Sequence, residues 1–228
     1  MADHLAFCLF HETGSITGRF RRKGNPPSTD FAFCQHDYRS GTGRDSTEGT
    51  KDLTRIELEH AIRAACDVSG DTEVYVLGSQ AILGQYPEAP EELRQSAEAD
   101  IAPKNHPEAA DSVDAALGEL SRFHETHGFY VHGLTMDAAT LPEGWEKRVY
   151  IVVNANTREN RGICLGAHDL AASKLVAFRD KDRRFVETLI SEKMIEGAFL
   201  LQLIRQLDIA EELRVRIVNW VERTIKDI

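Results

Sequence analysis

Two short stretches of the chain carry side chains whose types and spacing could hold a phosphorylated ligand and a metal ion. The first, VYVLGSQAILGQ at residues 74–85, has the β-prone apolar residues of a buried strand, then Gly78 and Ser79, then a short helical pattern. Glycine lets the backbone turn sharply and lets a ligand approach closely. Because the amides that open a helix attract phosphate, this stretch predicts a phosphate-binding turn between a strand and a helix.

The second stretch, SAEADIAP at residues 96–103, contains two carboxylates two positions apart, Glu98 and Asp100. A strand over residues 98–102 that stops at Pro103 would point both carboxylates to the same face, because side chains alternate with a period of two. Paired carboxylates beside a phosphate-binding turn suit Mg²⁺ and a nucleoside triphosphate. The alternative is a solvated edge strand, on which the two charges discourage aggregation.

The composition narrows the class of protein. The chain has 228 residues, 42% of them apolar, and a formal net charge of −10. This acidic balance argues against a protein that coats nucleic acid regardless of sequence, but it is compatible with a local basic cleft. No apolar run approaches the ~20 residues that span a bilayer, and the N-terminus lacks the basic region of a signal peptide. Four cysteines do not make a disulfide scaffold in a chain of this length, so we expect a cytoplasmic protein with no membrane partner.

Three segments of the chain differ in their pattern. Residues 1–50 are rich in Gly, Ser, Thr and Arg and keep no helical or strand period, so we expect a disordered or loosely attached segment. Residues 54–165 open with a capping-box pattern at Thr54 and Glu57 and then mix helical and strand patterns, which predicts a small α/β (α+β) core. Residues 166–228 predict a C-terminal helical region.

Hydrophobic periodicity predicts the individual elements of these segments. We expect one amphipathic helix over residues 109–125, followed by strands near residues 129–134 and 148–153. In the C-terminal region we expect helices over residues 168–178, 182–191, 194–207 and 209–226.

Several other polar side chains have two interpretations. Lys174 lies on an otherwise apolar helix and is either functional or a surface lysine whose stem covers the apolar face. His124, His127 and His132 suggest a shared metal site, but the break at Gly128 separates them. We therefore expect ordinary satisfied or exposed histidines at these positions.

Two further features also keep alternatives open. Glu119 lies near an apolar helix face and is either catalytic or paired with Arg122 or Arg148. The charged run RDKDRR at residues 179–184 is typical of a solvated, salt-bridged junction between helices, and it could equally meet an RNA backbone. We favour the solvated junction.

The order of a strand, Gly-Ser, a helix and a strand bearing acid-x-acid resembles the nucleotidyltransferase superfamily, which has the polymerase β-like fold. The run LAASKLVAFRDKD at residues 170–182 is similar to the bacterial branch that includes the AbiEii-type toxins and the DUF6036 group. The chain is identified as a member of that group over roughly residues 54–210. The resemblance implies a small mixed β-sheet core followed by a C-terminal helical region.

The resemblance also implies roles for particular residues. Gly78 and Ser79 match the motif whose backbone and hydroxyl hold triphosphate oxygens. Glu98 and Asp100 match the paired acids that bind the metal, Mg²⁺ or Mn²⁺. The resemblance thus implies that Glu98 and Asp100 are catalytic, together with Lys174, and that Gly78, Ser79 and Lys174 bind the nucleotide.

Two positions near the C-terminal region complete the implied site. Lys174 matches the helix lysine that neutralises the triphosphate in AbiEii-like members, and Asp182 lies where those members carry a further acid. The implied reaction is attack of a hydroxyl on the α-phosphorus of a bound nucleoside triphosphate (NTP), with pyrophosphate leaving. The implied acceptor is an RNA such as tRNA, or a protein, and an antitoxin is the implied partner in a toxin–antitoxin or phage-defence pair.

The chain departs from the family pattern at three points. The spacing from Ser79 to Glu98 is longer than in the common motif and is filled by a Pro-rich loop. The first acid is Glu98, where the pattern favours Asp, and the third carboxylate expected on a later strand is not evident, with Asp137 and Glu146 as the nearby options. A metal displaced by about an ångström can cost ~10²-fold in rate. These departures keep open an alternative function, a catalytically inactive nucleotide- or partner-binding module of the same fold.

Overall fold

The structure is a computed structural model that describes residues 52–228. The segment 1–50, which we expect to be disordered or loosely attached, lies outside these residues. The helices of the described part, in chain order, are α1 (Arg55–Ser69), α2 (Ile82–Gln85), α3 (Glu91–Arg94), α4 (Ala110–Leu117), α5 (Arg122–His127), α6 (Ala167–Ala177), α7 (Asp180–Ser191), α8 (Gly197–Arg205) and α9 (Glu211–Asp227). None of them is both long and apolar enough to cross a membrane.

A mixed sheet forms the centre of the core. Its strands are β1 (Glu73–Val76), β2 (Glu98–Pro103), β3 (Tyr130–Gly133), β4 (Tyr150–Val152) and β5 (Arg161–Cys164). They lie in the order β3-β2-β1-β5-β4, with β1 antiparallel to β2, β2 parallel to β3, β1 parallel to β5, and β5 antiparallel to β4. The predicted α/β fold with a mixed sheet and a C-terminal helical region is therefore confirmed.

The strand β5 is absent from the sequence-based prediction. Its sequence, RGIC, is too short for a period to show, and Gly162 weakens the β-propensity of the run. The glycine is needed because a Cβ built at Gly162 would lie 2.3 Å from Cδ1 of Ile62 on α1. Residue 162 is therefore a glycine because α1 packs closely on the sheet at this point, and this packing overrides the low β-propensity of glycine.

The predicted helix over residues 109–125 is wrong as a single element, because the chain breaks between α4 and α5. A Cβ built at Gly118 would lie 2.3 Å from the carbonyl oxygen of Asp114, so the glycine permits a tight turn there. Leu120 then adopts a left-handed backbone with φ of 64°. Ser121 caps the new helix, since its hydroxyl accepts a hydrogen bond from the amide of His124.

The start of the ordered core and its C-terminal helices agree well with the sequence patterns. The capping box at α1 is present, with the amide of Thr54 donating to Glu57 Oε2 at 2.8 Å and the amide of Glu57 donating to Thr54 Oγ1 at 3.3 Å. The four predicted C-terminal helices are α6 to α9, with bounds that differ by a few residues. Their apolar faces, with Leu170, Leu189 and Leu203, share one hydrophobic core with the sheet.

The loop between α1 and β1 is held by a buried carboxylate, Asp71. It accepts hydrogen bonds from the amides of Thr72 (2.7 Å) and Glu73 (3.1 Å), and from the amide (2.6 Å) and side-chain Nδ2 (2.8 Å) of Asn105. Burial raises the pKa of Asp71, but these hydrogen bonds outweigh burial and lower the pKa to about 2. The loops at the start of β1 and the end of β2 are therefore joined by one ionised group.

We expect the contribution of Asp71 to stability to disappear in acid. A carboxyl whose pKa falls from 3.8 to about 2 on folding contributes ~2 kcal/mol above the unfolded value, and about half of this is lost by pH 3. Urea denaturation at pH 7 and pH 3 should show the wild-type advantage over Asp71→Asn shrinking by about 1 kcal/mol. An advantage that does not change with pH would contradict this account.

A candidate metal and nucleotide cleft

One cleft of about 880 Å³ is lined by side chains from segments far apart in the sequence. The β1–β2 antiparallel pair sets Val76 opposite Ile101, and the amide of Leu77 donates to the carbonyl of Asp100 at 3.0 Å. The end of β1 and the start of β2 therefore meet at one edge of the sheet. The residues of functional interest in the lining are Ser79, Glu98, Asp100, His132, Lys174, Arg179, Lys181, Asp182 and Arg184.

The Gly78–Ser79 turn packs directly against the carboxylate strand. A Cβ built at Gly78 would lie only 1.7 Å from Oδ2 of Asp100, so no side chain fits at this position. Ser79 opens a 3-10 turn (Ser79–Ala81), and α2 follows as a single turn. The predicted strand–turn–helix is present, although its helix is shorter and tighter at the start than the sequence pattern suggests.

A buried glutamine that sequence reasoning missed holds this turn in place. Gln80 is fully buried, and its Nε2 donates to the carbonyl of Ser96 at 2.7 Å and to that of Arg94 at 3.3 Å. These bonds tie the turn to the loop that leads into β2. A glutamine after Gly-Ser carries no sequence signal of this role, because its partners are backbone carbonyls about fifteen residues away.

The two predicted carboxylates share one face of β2. Glu98 and Asp100 are half-buried and open to the cleft, whereas Ala99 between them is fully buried on the other face. Burial raises the pKa of Asp100, and His132 partly opposes this shift. Burial, followed by the negative charge of Asp100, raises the pKa of Glu98. Two carboxylates that are costly to ionise side by side are suited to a site that receives a cation.

The imidazole of His132 joins the carboxylates because β3 runs parallel to β2 with Asp100 opposite His132. Its Nδ1 lies 3.1 Å from Oε1 of Glu98 and 3.2 Å from Oδ1 of Asp100. His132 is both partly exposed and hydrogen-bonded, as expected, and it also lies beside the acidic pair, which the sequence analysis did not anticipate. The sequence carried only a partial signal, a polar side chain on the strand that follows the acidic pair, because the β2–β3 register that sets it opposite Asp100 is not encoded locally.

These three residues fit a divalent cation. One ligand atom from each of Glu98, Asp100 and His132 lies within 4.8 Å of the others. Carboxylate oxygens and an imidazole nitrogen are all common ligands of divalent metals. The alternative third acids, Asp137 and Glu146, are both exposed and neither lines this cleft.

Lys174 faces the same cleft from α6. Its side chain is only 16% exposed, and its Nζ lies 3.7 Å from Oδ1 of Asp182 and 4.7 Å from the centre of the Phe185 ring. Burial lowers the pKa of Lys174, while the charges of Asp182 and Asp100 oppose the shift. The alternative of a surface lysine is therefore wrong.

Asp182 lines the same cleft and pairs with this lysine. Its carboxylate is almost fully buried and accepts a hydrogen bond from Nε of Arg179 at 2.7 Å. This carboxylate pairs with both Arg179 and Lys174, so it balances positive charge from two side chains that line the cleft. Its position suits a residue that orients Lys174.

The remaining polar candidates lie elsewhere. The ring of His127 packs with His60, Phe123 and Phe129 in an aromatic cluster, and His124 stacks on the ring of Tyr130. The aromatic neighbours of these two histidines explain their positions, as expected.

Glu119 and Arg148 do not pair with each other. Glu119 is exposed and does not line the cleft. Arg148 instead holds the buried carboxylate of Asp169 at the start of α6, through Nη2 to Oδ1 at 2.7 Å and Nε to Oδ2 at 2.9 Å. This pair fixes the helix that carries Lys174.

Comparisons with known proteins identify the family. No curated protein and no solved structure shows a significant match to the chain. A family model described as a nucleotidyltransferase of unknown function, DUF6036, matches residues 56–226. This range is most of the chain and includes the Gly-Ser turn, the acidic pair and the lysine of α6. The chain therefore belongs to the DUF6036 family of nucleotidyltransferases.

Proposed function

We propose that this protein transfers a nucleotide from an NTP to a hydroxyl of an RNA acceptor, in a reaction that requires a divalent metal. The observation that carries the proposal is that Ser79, Glu98, Asp100 and Lys174 line one cleft. In such a reaction the acceptor oxygen bonds to the α-phosphorus while the bond from that phosphorus to the pyrophosphate oxygen breaks. Each of the four residues has a place in this scheme.

The protein side chains position and neutralise the triphosphate. Ser79 lines the cleft where phosphate oxygens would be held, and Gly78 beside it carries no side chain that would block close approach. The ammonium of Lys174, oriented by Asp182, offsets negative charge on the leaving pyrophosphate. Because both groups are held by buried neighbours, little reorganisation is needed during the reaction.

Glu98, Asp100 and His132 would hold the metal ion. A bound divalent cation supplies positive charge that stabilises the phosphate oxygens in the transition state and lowers the pKa of the attacking hydroxyl. The raised pKa values of Glu98 and Asp100 would fall once a cation is bound, because an opposite charge nearby favours the ionised form.

The rim of the cleft favours an anionic acceptor. Arg179, Lys181 and Arg184 line it together with Glu92 and Glu187, and Arg179 is paired with Asp182, although the chain as a whole carries a net charge of −10. The proposal takes these cations in the second role that the sequence left open, contact with an RNA backbone. A local basic patch on an acidic protein concentrates an RNA backbone at one place. The choice of tRNA, and a role in a toxin–antitoxin or phage-defence pair, rest on family analogy.

A transfer assay tests this proposal. The protein is incubated with each α-³²P-labelled NTP, a divalent cation and either total RNA or cell lysate, and label is followed into RNA and into protein. We expect label in an RNA band with one or more NTPs. Label in protein alone would refute the RNA acceptor, and no label in any fraction would count against the enzyme.

Replacing Lys174 with Met should lower kcat/KM for the NTP by about 10²-fold, because the positive charge that offsets the charge of the phosphates is lost. The methionine keeps the apolar stem against Phe185, and Asp182 keeps Arg179, so the melting temperature should change little. Lys147→Met is the matched control, since Lys147 is exposed and does not line this cleft. Equal kcat/KM for Lys174→Met and wild type would remove Lys174 from the site.

A second candidate function is an inactive module that binds a nucleotide or a partner protein. Two departures from the family pattern favour it, Glu98 as the first acid and the lack of an evident third carboxylate. Calorimetry with ATP, GTP, CTP and UTP distinguishes the two candidates. Metal-dependent binding without any transfer of label would support the inactive module, and the absence of binding would count against both functions.

A further inference from the structure

The cleft brings a nitrogen donor, His132, beside the two carboxylates. His132 stands opposite Asp100 across the β2–β3 pair, and the same nitrogen, Nδ1, faces both carboxylates. The side chain of His132 is 44% exposed, so the cleft is open at this point to an incoming ion. The cluster therefore offers two oxygens and one nitrogen, in contrast to the all-oxygen set that the acid-x-acid pattern suggests.

We propose that His132 binds the metal through Nδ1 and makes the site select Mn²⁺ over Mg²⁺. This inference rests on the proposed function, because it concerns the ion of the same cleft. It identifies both a ligand of the metal and the chemical class of ion that the site takes.

Two of the three ligand–ligand distances in the cluster are compatible with a six-coordinate ion, and the third is within 4.8 Å. With metal–ligand bonds of about 2.1 Å, adjacent ligands of an octahedron lie about 3.0 Å apart. The distances from Nδ1 to the two carboxylate oxygens, 3.1 Å and 3.2 Å, are close to this value. An ion can thus take the place of the hydrogen-bonding proton with little movement of the three side chains.

The donor set decides the selectivity. Mg²⁺ prefers oxygen ligands and keeps several waters, whereas affinity for nitrogen-containing sites rises along the first-row divalent metals from Mn²⁺ onwards. Carboxylate, water and phosphate oxygens suit Mn²⁺ as well as Mg²⁺. Of Mg²⁺ and Mn²⁺, Mn²⁺ is therefore the ion that better accepts an imidazole in an oxygen-rich site with a triphosphate.

Direct spectroscopy of the nucleotide-free protein tests the ligand. Mn²⁺ is added to the full chain, and pulsed electron paramagnetic resonance records the electron spin-echo modulation. We expect a ¹⁴N coupling from a directly bound imidazole, replaced by a ¹⁵N coupling when the protein contains ¹⁵N-histidine. Bound Mn²⁺ without any nitrogen coupling would overturn the proposal, and this measurement needs no variant that might fail to fold.

Variants test the selectivity. We expect the ratio of Kd for Mg²⁺ to Kd for Mn²⁺ to fall about tenfold in His132→Asp, which restores an all-oxygen set. His106→Asn is the matched control, because His106 is exposed and pairs with Glu108 outside this cleft. It should keep both the ratio and the nitrogen coupling, and melting curves check that both variants fold. An unchanged ratio in a folded His132→Asp protein would overturn the proposal.

The result for the metal site can be distinguished from the result for the proposed transferase activity. Nitrogen-coordinated Mn²⁺ in a protein that labels no acceptor would leave the metal site standing and remove the enzyme. Conversely, transfer of label with Mg²⁺ as the tighter ion, and without a nitrogen coupling, would keep the enzyme and remove the role of His132.

Discussion

Replacing Asp100 with Asn should reduce nucleotide transfer by ~10³-fold or more while leaving the protein folded, because the charge that would hold the metal is lost. The asparagine keeps the shape of the side chain, and its Oδ1 can still accept a hydrogen bond from His132 at the 3.2 Å now seen. The transfer assay at saturating NTP and metal measures the loss.

The same substitution, Asp100→Asn, should not lower the stability of the folded protein, in contrast to its effect on transfer. Burial raises the pKa of Asp100, so its ionised form is favoured less in the folded protein than in the unfolded chain. Above the folded pKa this works against folding, and an amide that carries no charge also removes repulsion with Glu98. The melting temperature of Asp100→Asn at pH 8 without metal should therefore equal or exceed that of wild type, as is usual when a functional site is strained.

The control for this variant is Asp137→Asn. Asp137 is an exposed aspartate on a turn after β3, does not line the cleft, and was one of the alternative third acids. Its substitution should leave both transfer and melting temperature unchanged. Transfer that survives Asp100→Asn but fails in Asp137→Asn would show that the active centre has been assigned to the wrong carboxylates.

Replacing Gly78 with Ala should reduce transfer by about 10²-fold or more, through displacement of a neighbour. The backbone at Gly78, with φ of −73° and ψ of −164°, is accessible to alanine, so backbone strain is not the cause. The new methyl group would instead lie 1.7 Å from Oδ2 of Asp100. Asp100 or the turn must move, and either shift would separate the proposed metal ligands from the proposed phosphate-binding turn.

Gly70→Ala provides the matched comparison for this substitution. Gly70 ends α1 with φ of 67°, and a Cβ there would meet nothing within 4 Å. Alanine in a left-handed conformation costs about 1 kcal/mol in the free energy of unfolding, but transfer should be unaffected. Denaturant unfolding and the transfer assay separate the two effects. Full activity in Gly78→Ala would mean that the close contact with Asp100 has no functional role.

The metal-binding experiments and these two substitutions test different groups of the same cleft. Asp100→Asn and Gly78→Ala both disturb the oxygen ligands, whereas His132→Asp changes the nitrogen ligand alone. A protein that loses Mn²⁺ binding in the first two and loses only its selectivity in the third would behave as the geometry requires.

The local features of this protein could be predicted from its sequence. The capping box at Thr54, the C-terminal helices and the strand with Glu98 and Asp100 on one face all follow from periods of 3.6 or 2 and from short-range hydrogen bonds. The resemblance added Lys174 and Asp182. These signals are readable because each depends on residues within a few positions of one another.

The tertiary structure alone decided what meets across the sheet. The pairing of β2 with β3 brings His132 to the acidic pair, and the pairing of β1 with β5 creates a strand that Gly162 conceals in the sequence. Burial places the side chain of Lys174 in the lining of the cleft, where its Nζ lies 3.7 Å from Asp182. Strand register and burial arise from contacts between residues 30 to 90 positions apart, and no local period encodes them.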